Sequence, residues 1–519
     1  MSRFHRCRHG VFAAMVVLLS GCTLSSCTLG PDFSEPNPHL PDNATFNGQV
    51  VSDAHLPTPT DPNWWRIFGD PILTNLESRV AEANLDVRTA AIRIAESRYQ
   101  RGQAAAAELP SINGDGKYQR ELYSKNGIIS LLSPLLGPGS SGGIPITPIN
   151  EYTVGLDMSW ELDLWGRLRR QVEAADAQVD QAEDRRRDAL VSSLAELARN
   201  YIQLRGTQDQ IRIATNNVRV DSDILQLAQQ LQQKGVRSGL DAENAAAQVE
   251  GIRAQLPALE QQQIQYQNAI ALLLDLPPSS LNSELGSGRA ALRLPAHVPL
   301  GLPSELARRR PDIREAEDQL HAATANIGVA IASFYPKFQL NGQVTLDSLQ
   351  FSSLYNASSL QYTAGPSVTI PLFDGFRLQS SLRLSEVQQA EAAITYHKTV
   401  LQAWHEVINA IASLRLEQVR RTRLRAQLEH TRAALDLGRS RYNDGVTDFL
   451  TVLDAERNLL QNEQQLSQST TNVALDLVTL FKALGGGWEQ TLPDPPKPMV
   501  VQVKQTVTNL APGADPAPK

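Results

Sequence analysis

The chain has 519 residues, of which 42% are hydrophobic and 20% are charged, and this is enough for a large core or for several domains. Its 55 acidic and 48 basic side chains give a formal net charge of −7 without a basic stripe, so the composition argues against a nucleic-acid-binding protein. All three cysteines, Cys7, Cys22 and Cys27, lie near the start, and the rest of the chain can therefore form no internal disulfide.

Residues 1–21 have the pattern of a secretory signal peptide, with a basic start, a short apolar run and small residues before Cys22. The apolar run covers residues 11–19 and is too short to span a bilayer as a helix. The tetrapeptide LSGC that ends at Cys22 resembles the bacterial lipobox, in which the cysteine becomes the lipidated mature N-terminus. The tetrapeptide LSSC that ends at Cys27 is a second, weaker candidate. We expect a lipid anchor, which adds membrane affinity without spanning, followed by an extended segment over residues 22–70.

A helix and a β-hairpin are predicted next. Asp70 and Pro71 fit a helix start, because proline suits the first helical position. Apolar residues then recur at three- and four-residue steps, as in an amphipathic helix, up to about residue 107. The hairpin covers residues 111–162 and has a long loop rich in Gly, Pro and Ser over residues 124–150.

The second strand of this hairpin alternates between two kinds of residue. Its even positions are apolar: Tyr152, Val154, Leu156, Met158, Trp160 and Leu162. Its odd positions are small, polar or acidic: Thr153, Gly155, Asp157, Ser159 and Glu161. This period of two puts each set on one face of the strand. Such a strand is the unit of a transmembrane β-barrel with a wet lumen, and it also fits a half-buried strand of a soluble sheet.

A helix of unusual length is predicted over residues 166–234, which contain no proline. Apolar residues step along it by three and four, as in a coiled-coil seam: Leu190, Leu194, Leu197, Tyr201 and Leu204. At 1.5 Å per residue, roughly 70 residues make a rod of ~100 Å. The turn at Gly235 and Val236 ends the rod, and a return helix begins at Ser238 or Asp241.

The chain then repeats itself after a linker over residues 277–303, which is rich in Gly, Ser and Pro. The stretch from Arg310 aligns without gaps on the stretch that begins at Leu85. The identical pairs include Asp86 with Asp312, Arg88 with Arg314, Gly102 with Gly328, Pro110 with Pro336, and Gly116 with Gly342. Such self-similarity indicates two structural repeats, over residues 71–276 and 304–487.

The second repeat has the same predicted order as the first. A β-hairpin over residues 337–373 leads into a long helix over residues 375–443. The turn at Gly445 and Val446 ends this helix, and a return helix follows. The last residues, 488–519, form a Pro-rich tail, which we expect to be disordered.

The chain therefore has four membrane-type strands. Four strands cannot close a barrel, and an open sheet edge cannot lie in lipid. The chain must assemble around an axis, and two copies would supply eight strands while three copies would supply twelve. A polar-lined lumen needs the wider barrel. We therefore predict a mainly α-helical protein with a trimeric twelve-stranded transmembrane β-barrel, four strands per protomer, continuous with a long periplasmic α-helical barrel.

Several motifs extend over nearly the whole chain from Gly30 to Trp488. They are GPDF from Gly30, the pair Trp64-Trp65 with Phe68 and Asp70-Pro71, RRPDIREAEDQLHAATANIGVAIASFYP, PLFDG ending at Gly375, RYNDGVTDFLTVLDAERNLL, and KALGGGW. Together they resemble the outer membrane efflux family, the TolC-like outer membrane factors, in the lipoprotein branch that includes NodT and OprM. Members of that branch carry the acylated cysteine just before a GPDY-like stretch, so the resemblance implies Cys27, whereas the distance from the apolar run favours Cys22.

The resemblance also implies partners and tip residues. It implies a homotrimer in the outer membrane of a Gram-negative bacterium, lipid-anchored and extending into the periplasm. The turns at Gly235 with Val236 and Gly445 with Val446 would lie at the periplasmic tip. There they would contact a periplasmic membrane fusion protein that joins an inner-membrane pump. No cofactor is expected apart from the covalent lipid.

Leu450 and Asp454 match the residues that form the periplasmic constriction in similar channels. They lie four residues apart in a helix and can share a face. Three symmetric copies of Asp454 would form an anionic ring beside a leucine ring. On the sequence alone, an ordinary solvated Asp is the alternative. Another acidic position of the family falls here on Thr451, so a double acidic ring is not expected.

The remaining candidates have simpler interpretations. Trp160 and Trp165 fit either an interfacial aromatic belt or packing where the strand meets the helix. The run Arg185–Arg187 is interpreted as a solvated helix face, with pairing between protomers as the alternative. The histidines show no metal-ligand spacing, and no nucleophile elbow or catalytic cysteine indicates an enzyme.

We therefore predict a passive exit duct of a tripartite efflux system, which conducts small toxic compounds or drugs to the exterior. The alternatives are the outer-membrane channel of a type I protein secretion system and a trimeric coiled-coil scaffold without a transport role. A self-standing porin would not need the two helical rods.

Overall fold

The computed structural model describes most of both repeats. The described residues are 28–37, 45–46, 49–50, 62–122, 124, 148–235, 238–286, 294 and 309–489. The predicted signal peptide, Cys22, Cys27 and Val236 lie outside the described residues, as do most of the linker and of the tail.

The helices and strands alternate in blocks along the chain. The strands are β1 (Thr45–Phe46), β2 (Gln49–Val50), β3 (Ser111–Glu121), β4 (Ile149–Leu162), β5 (Lys337–Ser348) and β6 (Leu360–Thr369). The α-helices are α1 (Pro71–Ala83), α2 (Leu85–Ala106), α3 (Arg167–Gln233), α4 (Gly239–Arg253), α5 (Leu256–Leu273), α6 (Asn282–Leu285), α7 (Pro311–Ala332), α8 (Arg377–Asn443) and α9 (Phe449–Ala483). None of the described helices has both the length and the hydropathy needed to cross a membrane.

Two helices that the sequence pattern predicts as single are each divided in the structure. Asn84 divides the first, because its backbone is extended and its side-chain Oδ1 accepts from the N–H groups of Asp86 and Val87, which caps α2. The return helix of the first repeat is divided into α4 and α5. Pro257 lies in the first turn of α5, where it has no N–H to donate to the carbonyl of Arg253.

The chain forms two compact units. The first contains Met1–Glu35, Ser97–Val179 and Gln319–Ala393, and the second contains Pro36–Glu96, Asp180–Asp318 and Ile394–Lys519. The sheet of β3 to β6 belongs to the first unit. The long helices α3 and α8 each begin in the first unit and end in the second.

The sheet of the first unit has two chemically different faces. Its order is β3-β4-β5-β6, with every neighbouring pair antiparallel. The register places odd-numbered residues opposite odd-numbered residues, for example Asn113, Asp157, Gln343 and Thr363 in one row. Apart from Ile149, the odd face consists of polar residues and glycines, and the even face is mainly apolar. The alternation predicted for β4 therefore extends across all four strands, which is the pattern of a barrel wall between lipid and water.

The passage from strand to long helix is built in a similar way in both repeats. Asp163 accepts a hydrogen bond from the backbone N–H of Arg169 at 3.0 Å, and Asp374 accepts one from the backbone N–H of Leu378 at 2.9 Å. A carboxylate at a helix N-terminus satisfies a free N–H group and interacts favourably with the helix dipole. Gly166 has a φ of 78°, which a residue with a Cβ adopts only at a cost.

Trp160 and Trp165 are bonded to the backbone at the start of the neighbouring strands. The indole N–H of Trp160 donates to the carbonyl of Glu108, and that of Trp165 donates to the carbonyl of Pro336, both at 2.9 Å. Trp165 also packs against Tyr335. Of the two interpretations of these tryptophans, the contacts correspond to packing where the strand meets the helix.

The second unit has its core around the predicted seam of α3. All five predicted seam residues are fully buried: Leu190, Leu194, Leu197, Tyr201 and Leu204. They belong to one cluster with the aromatic residues before α1 and the last turns of α9. Trp64 stacks on Phe481 with ring centroids 5.3 Å apart. The first long helix is therefore held by the segment that precedes the repeat and by the last helix of the chain.

Candidate functional site

The two glycine turns close the helical hairpins of the second unit. Gly235 has a φ of 72° and Gly445 a φ of 74°, both in the left-handed region where glycine ends helices most readily. The N–H of Gly235 donates to the carbonyl of Gln232 at 2.9 Å, and that of Gly445 donates to the carbonyl of Tyr442 at 3.0 Å. Val446 beside the second turn is exposed. These turns are backbone features with open space around them.

Helix α9 begins directly after the second turn and is capped by Asp448. The carboxylate of Asp448 accepts from the backbone N–H of Thr451 at 3.0 Å and from its hydroxyl at 2.7 Å. These hydrogen bonds lower the pKa of Asp448 below its usual value. Thr451, where other family members are expected to have an acid, therefore has a local role as part of the helix cap.

Leu450 and Asp454 lie in the first turns of α9 and are both exposed in the protomer. Leu450 is 48% exposed, and the side chain of Asp454 is 72% exposed, with the guanidinium of Arg457 3.9 Å from its carboxylate. Four residues separate the two, so they share one helix face. The geometry leaves both side chains available to line a surface near the second glycine turn.

A buried charge cluster lies behind this face. Glu456 is two residues beyond Asp454, on the opposite side of α9, and its side chain is 3% exposed. It pairs with Arg439 of α8. Asp221 of α3 is also buried and faces the same carboxylate. Two acids of different repeats thus approach one arginine.

Burial raises the pKa of Asp221 to about 6, and the negative charge of Glu456 contributes to the rise. A hydrogen bond from Gln248 and the charges of Arg439 and Arg457 oppose it. Burial also raises the pKa of Glu456, and Arg439 opposes that change. Arg457 donates to Gln248 at 2.9 Å, so one chain of polar contacts connects α9 with α4 and α3.

The interpretation of Arg185–Arg187 as a solvated helix face is wrong for two of the three residues. Arg186 is only 7% exposed. Arg187 pairs with Asp184 and lies over the ring of Trp488, 5.3 Å from its centroid. Arg185 pairs with Glu315 of α7 at 3.1 Å. Glu315 and Trp488 come from distant parts of the chain, so the local charge run gave no indication of them.

Asp318 lies in the same region of α7. Burial raises its pKa to about 7, and the charges of Asp184, Asp180 and Glu317 add to the rise, while Arg314 opposes it. Arg314 is already engaged with Asp184 at 3.2 Å. Within the described ranges, no group of three or more His, Cys, Asp or Glu side chains could hold a metal ion.

Sequence reasoning missed the buried cluster of Asp221, Arg439 and Glu456. A signal was present, because a charged residue at a seam position of a coiled coil needs a partner when it is buried. The partners of such a residue can be identified only when the packing of α3, α8 and α9 against each other is known.

The comparisons with known proteins agree with one another. A family model described as outer membrane efflux protein matches residues 76–275 and 302–486. The chain is 30% identical over 477 residues to the cation efflux system protein CusC of Escherichia coli, which covers 90% of this chain and 97% of that protein. It is 30% identical over 501 residues to the toluene efflux pump outer membrane protein TtgF of Pseudomonas putida, covering 94% and 98%. The solved structure of the outer-membrane channel OprN superposes with a TM-score of 0.80 at 32% identity, covering 89% of this chain and 100% of that one.

Proposed function

Because the chain belongs to the outer membrane efflux protein family, we propose that it is the exit duct of a tripartite efflux system. Its fold class is that of the trimeric outer-membrane channels, which are transport proteins and not enzymes. The observation that supports a duct is the sheet with one polar and one mainly apolar face, whose strands β4 and β6 lead through short connections into α3 and α8. A wet lumen and a helical extension then belong to one continuous chain.

Conduction is the first experiment. The purified protein in a planar bilayer is expected to give conductance steps of one uniform size, each step being the insertion of one trimeric channel. A coiled-coil scaffold would give none.

Export is the second experiment. A strain that lacks this chain is expected to become sensitive to toxic small compounds, and a strain that lacks the inner-membrane pump is expected to show the same sensitivity. Loss of a secreted polypeptide, without a change in sensitivity, would instead indicate a type I secretion channel.

The substrates we propose are small toxic compounds or drugs. Relatives named for cation efflux and for toluene efflux have the same identity to this chain, so identity alone does not choose between them. A periplasmic membrane fusion protein and an inner-membrane pump complete the proposed system. Crosslinking from residues beside Gly235 and Gly445 tests the contact with the membrane fusion protein.

Leu450 and Asp454 are the residues that we propose for the periplasmic gate. Their exposure on one face of α9, next to the second glycine turn, supports this assignment. Three copies would place a leucine ring beside an anionic ring. The double variant Leu450→Ala/Asp454→Ala is expected to raise single-channel conductance. Unchanged conductance would contradict the proposal that Leu450 and Asp454 form the gate.

A lipid on Cys22 or Cys27 is the proposed anchor. The first described residues after them are held in place, because the N–H of Leu29 donates to the carbonyl of Trp165 at 3.2 Å and Arg170 donates to the carbonyl of Leu29 at 3.2 Å. Cys27 precedes Leu29 by two residues and Cys22 precedes it by seven, which is at most ~25 Å of extended chain. Mass spectrometry of the mature N-terminus in Cys22→Ser and Cys27→Ser variants identifies the acylated residue.

A further inference from the structure

Two helix flanks of the second unit expose an apolar residue next to an uncompensated charge. On α5, Ile264 is 54% exposed and Glu260 lies one turn before it. On α8, Val419 is 55% exposed and Arg423 lies one turn after it. Glu260 and Arg423 are both exposed, and neither has an ionic partner in the part of the chain that the structure describes.

Both flanks face away from α9, which separates them in the protomer. Arg423 is nine residues before Arg432, whose side chain binds Glu463 of α9 at 2.8 Å. Ile264 is nine residues after Gln255, whose side chain accepts from Gln464 of α9 at 3.1 Å. Nine residues are about two and a half helical turns. Each flank therefore lies on the side of its helix opposite to the contact with α9.

Contacts with α9 fix the positions of α5 and α8 along the axis of α9, and such a position is called a level below. Since Gln464 follows Glu463 directly, their partners Gln255 and Arg432 lie within about one residue of the same level. Helix α4 runs parallel to α9, because Gln248 contacts Arg457 and Gln255 contacts Gln464, seven residues further along both segments. Ala254 and Gln255 keep right-handed helical backbone angles, so α5 continues in the direction of α4.

Helix α8 runs antiparallel to α9, because its contacts advance in opposite directions. Arg432 binds Glu463, and Arg439 binds Glu456. Helices α5 and α8 therefore run in opposite directions, so a residue further along α5 lies at the same level as a residue earlier in α8. Glu260 and Arg423 come within about three residues of the same level, or about 4.5 Å. Ile264 and Val419 are also about three residues apart in level.

Cyclic symmetry brings these two flanks together. A cyclic trimer uses a head-to-tail interface, in which one flank of each protomer meets the opposite flank of the next. Helices that run along the axis keep their level in that operation. Residues at one level on opposite flanks are therefore the residues that meet.

We propose that Glu260 and Ile264 of one protomer pack against Arg423 and Val419 of the partner subunit. The ion pair and the apolar contact follow each other at the same four-residue spacing on both antiparallel helices. A second copy of this chain is the occupant that fits, since it supplies both the opposite charge and the apolar residue at the matching level.

A disulfide between protomers tests the contact in the full chain, in membranes. Ile264→Cys combined with Val419→Cys is expected to give covalently linked dimers and trimers on oxidation, because apposed Cα atoms within about 7 Å can be bridged. Leu437→Cys is the matched control. Leu437 lies five turns from Val419 on the same exposed flank, about 27 Å along the helix, so its pair with Ile264→Cys should not link. No link for the first pair, or a link within one chain, would overturn the proposal.

Charge exchange is the second test. Glu260→Arg and Arg423→Glu are each expected to lower the temperature at which the trimer dissociates, and the double variant is expected to recover it. Arg420→Glu is the control, because Arg420 already pairs with Glu417 on its own helix, and Glu260→Arg should not rescue it. A double variant no more stable than the single variants would contradict the pairing. Both tests report on assembly, so they stand apart from any result on export.

Discussion

Arg439 of α8 binds the buried carboxylate of Glu456, and this pair joins the second long helix to the helix that follows it. Glu456 lies two residues beyond Asp454, on the other side of α9. The exposed face proposed as a gate is therefore held from behind by an ion pair whose carboxylate is buried. Any movement of that face requires the pair to move with α8 or to break.

Arg439→Met is expected to destabilise this end of the second unit. It leaves the buried acids Glu456 and Asp221 without the arginine. Breaking a fully buried pair costs about 3–5 kcal/mol, and the expected loss is smaller here because the Arg439 side chain is 40% exposed to screening by solvent. Denaturant unfolding measures the loss, and hydrogen exchange should locate it in the first turns of α9. Arg441→Met is the control, because Arg441 is exposed in the last turn of the same helix.

The double variant Arg439→Met/Glu456→Leu separates charge from packing. An apolar pair of similar volume removes the uncompensated charge of Glu456 but not that of Asp221, so a large part of the lost stability should return. Equal losses in the single and double variants would mean that the buried charge of Glu456 is not the cause.

Asp221→Asn is expected to change how stability depends on pH. The pKa of Asp221 is raised to about 6 in the folded protein, mainly by burial, whereas an unfolded aspartate titrates near 3.9. The folded state therefore binds the extra proton between about pH 4 and pH 6, so this residue's contribution is most favourable below pH 4 and falls as pH rises to 6.

The variant should be more stable than the wild type at pH 7, and the difference should disappear toward pH 4. Thermal unfolding at a series of pH values measures it. Asp223→Asn is the matched control, because Asp223 is exposed on the same helix. A constant difference across the pH range would exclude the titration of Asp221 as its origin.

Tyr201→Phe is expected to lower stability by about 1.5–3 kcal/mol, the range for a hydrogen bond to a charged group. The hydroxyl of Tyr201 donates to the Asp70 carboxylate at 2.6 Å, and the other oxygen of Asp70 caps α1 through the N–H of Ile72. Burial and this hydrogen bond both raise the pKa of Tyr201.

Denaturant titration of Tyr201→Phe measures the loss. Tyr266→Phe serves as the control, because no hydrogen bond is found for that hydroxyl within the described residues and its ring packs against the same core. Similar losses in both variants would point to ring packing as the cause.

Gly206→Ala is expected to cost about 1–3 kcal/mol by overpacking the contact between α3 and α9. A Cβ at position 206 would lie 2.5 Å from the hydroxyl and 2.8 Å from the methyl group of Thr471. Thr471→Ala removes both atoms and should recover most of the loss in the double variant.

Gly438→Ala is the matched control for Gly206→Ala. Position 438 is also inside a long helix, but a Cβ there would meet nothing within 4 Å. Since alanine favours a helix over glycine by roughly 1 kcal/mol, this substitution should be neutral or stabilising. If both substitutions destabilise equally, close approach of the helices is not the reason.

Patterns with a short period were reliable guides to the fold. The alternation predicted for Glu151 to Leu162 became a sheet with one polar face, and the three-and-four stepping from Leu190 to Leu204 became a buried seam. These patterns are decided locally, because a strand repeats its faces every two residues and a helix every three to four. The lipid site, the gate at Leu450 and Asp454, and the contacts at the tips stay predictions.

The amino-acid sequence by itself therefore determined the two repeats, the strand faces, the long helices and the glycine turns. The tertiary structure decided which charges are buried together. Arg187 meets Trp488, and Asp221 of the first repeat meets Glu456 of the second, across hundreds of residues of chain. The pKa of a carboxyl group depends on burial and on neighbouring charges, and both are properties of the packed helices that no local pattern contains.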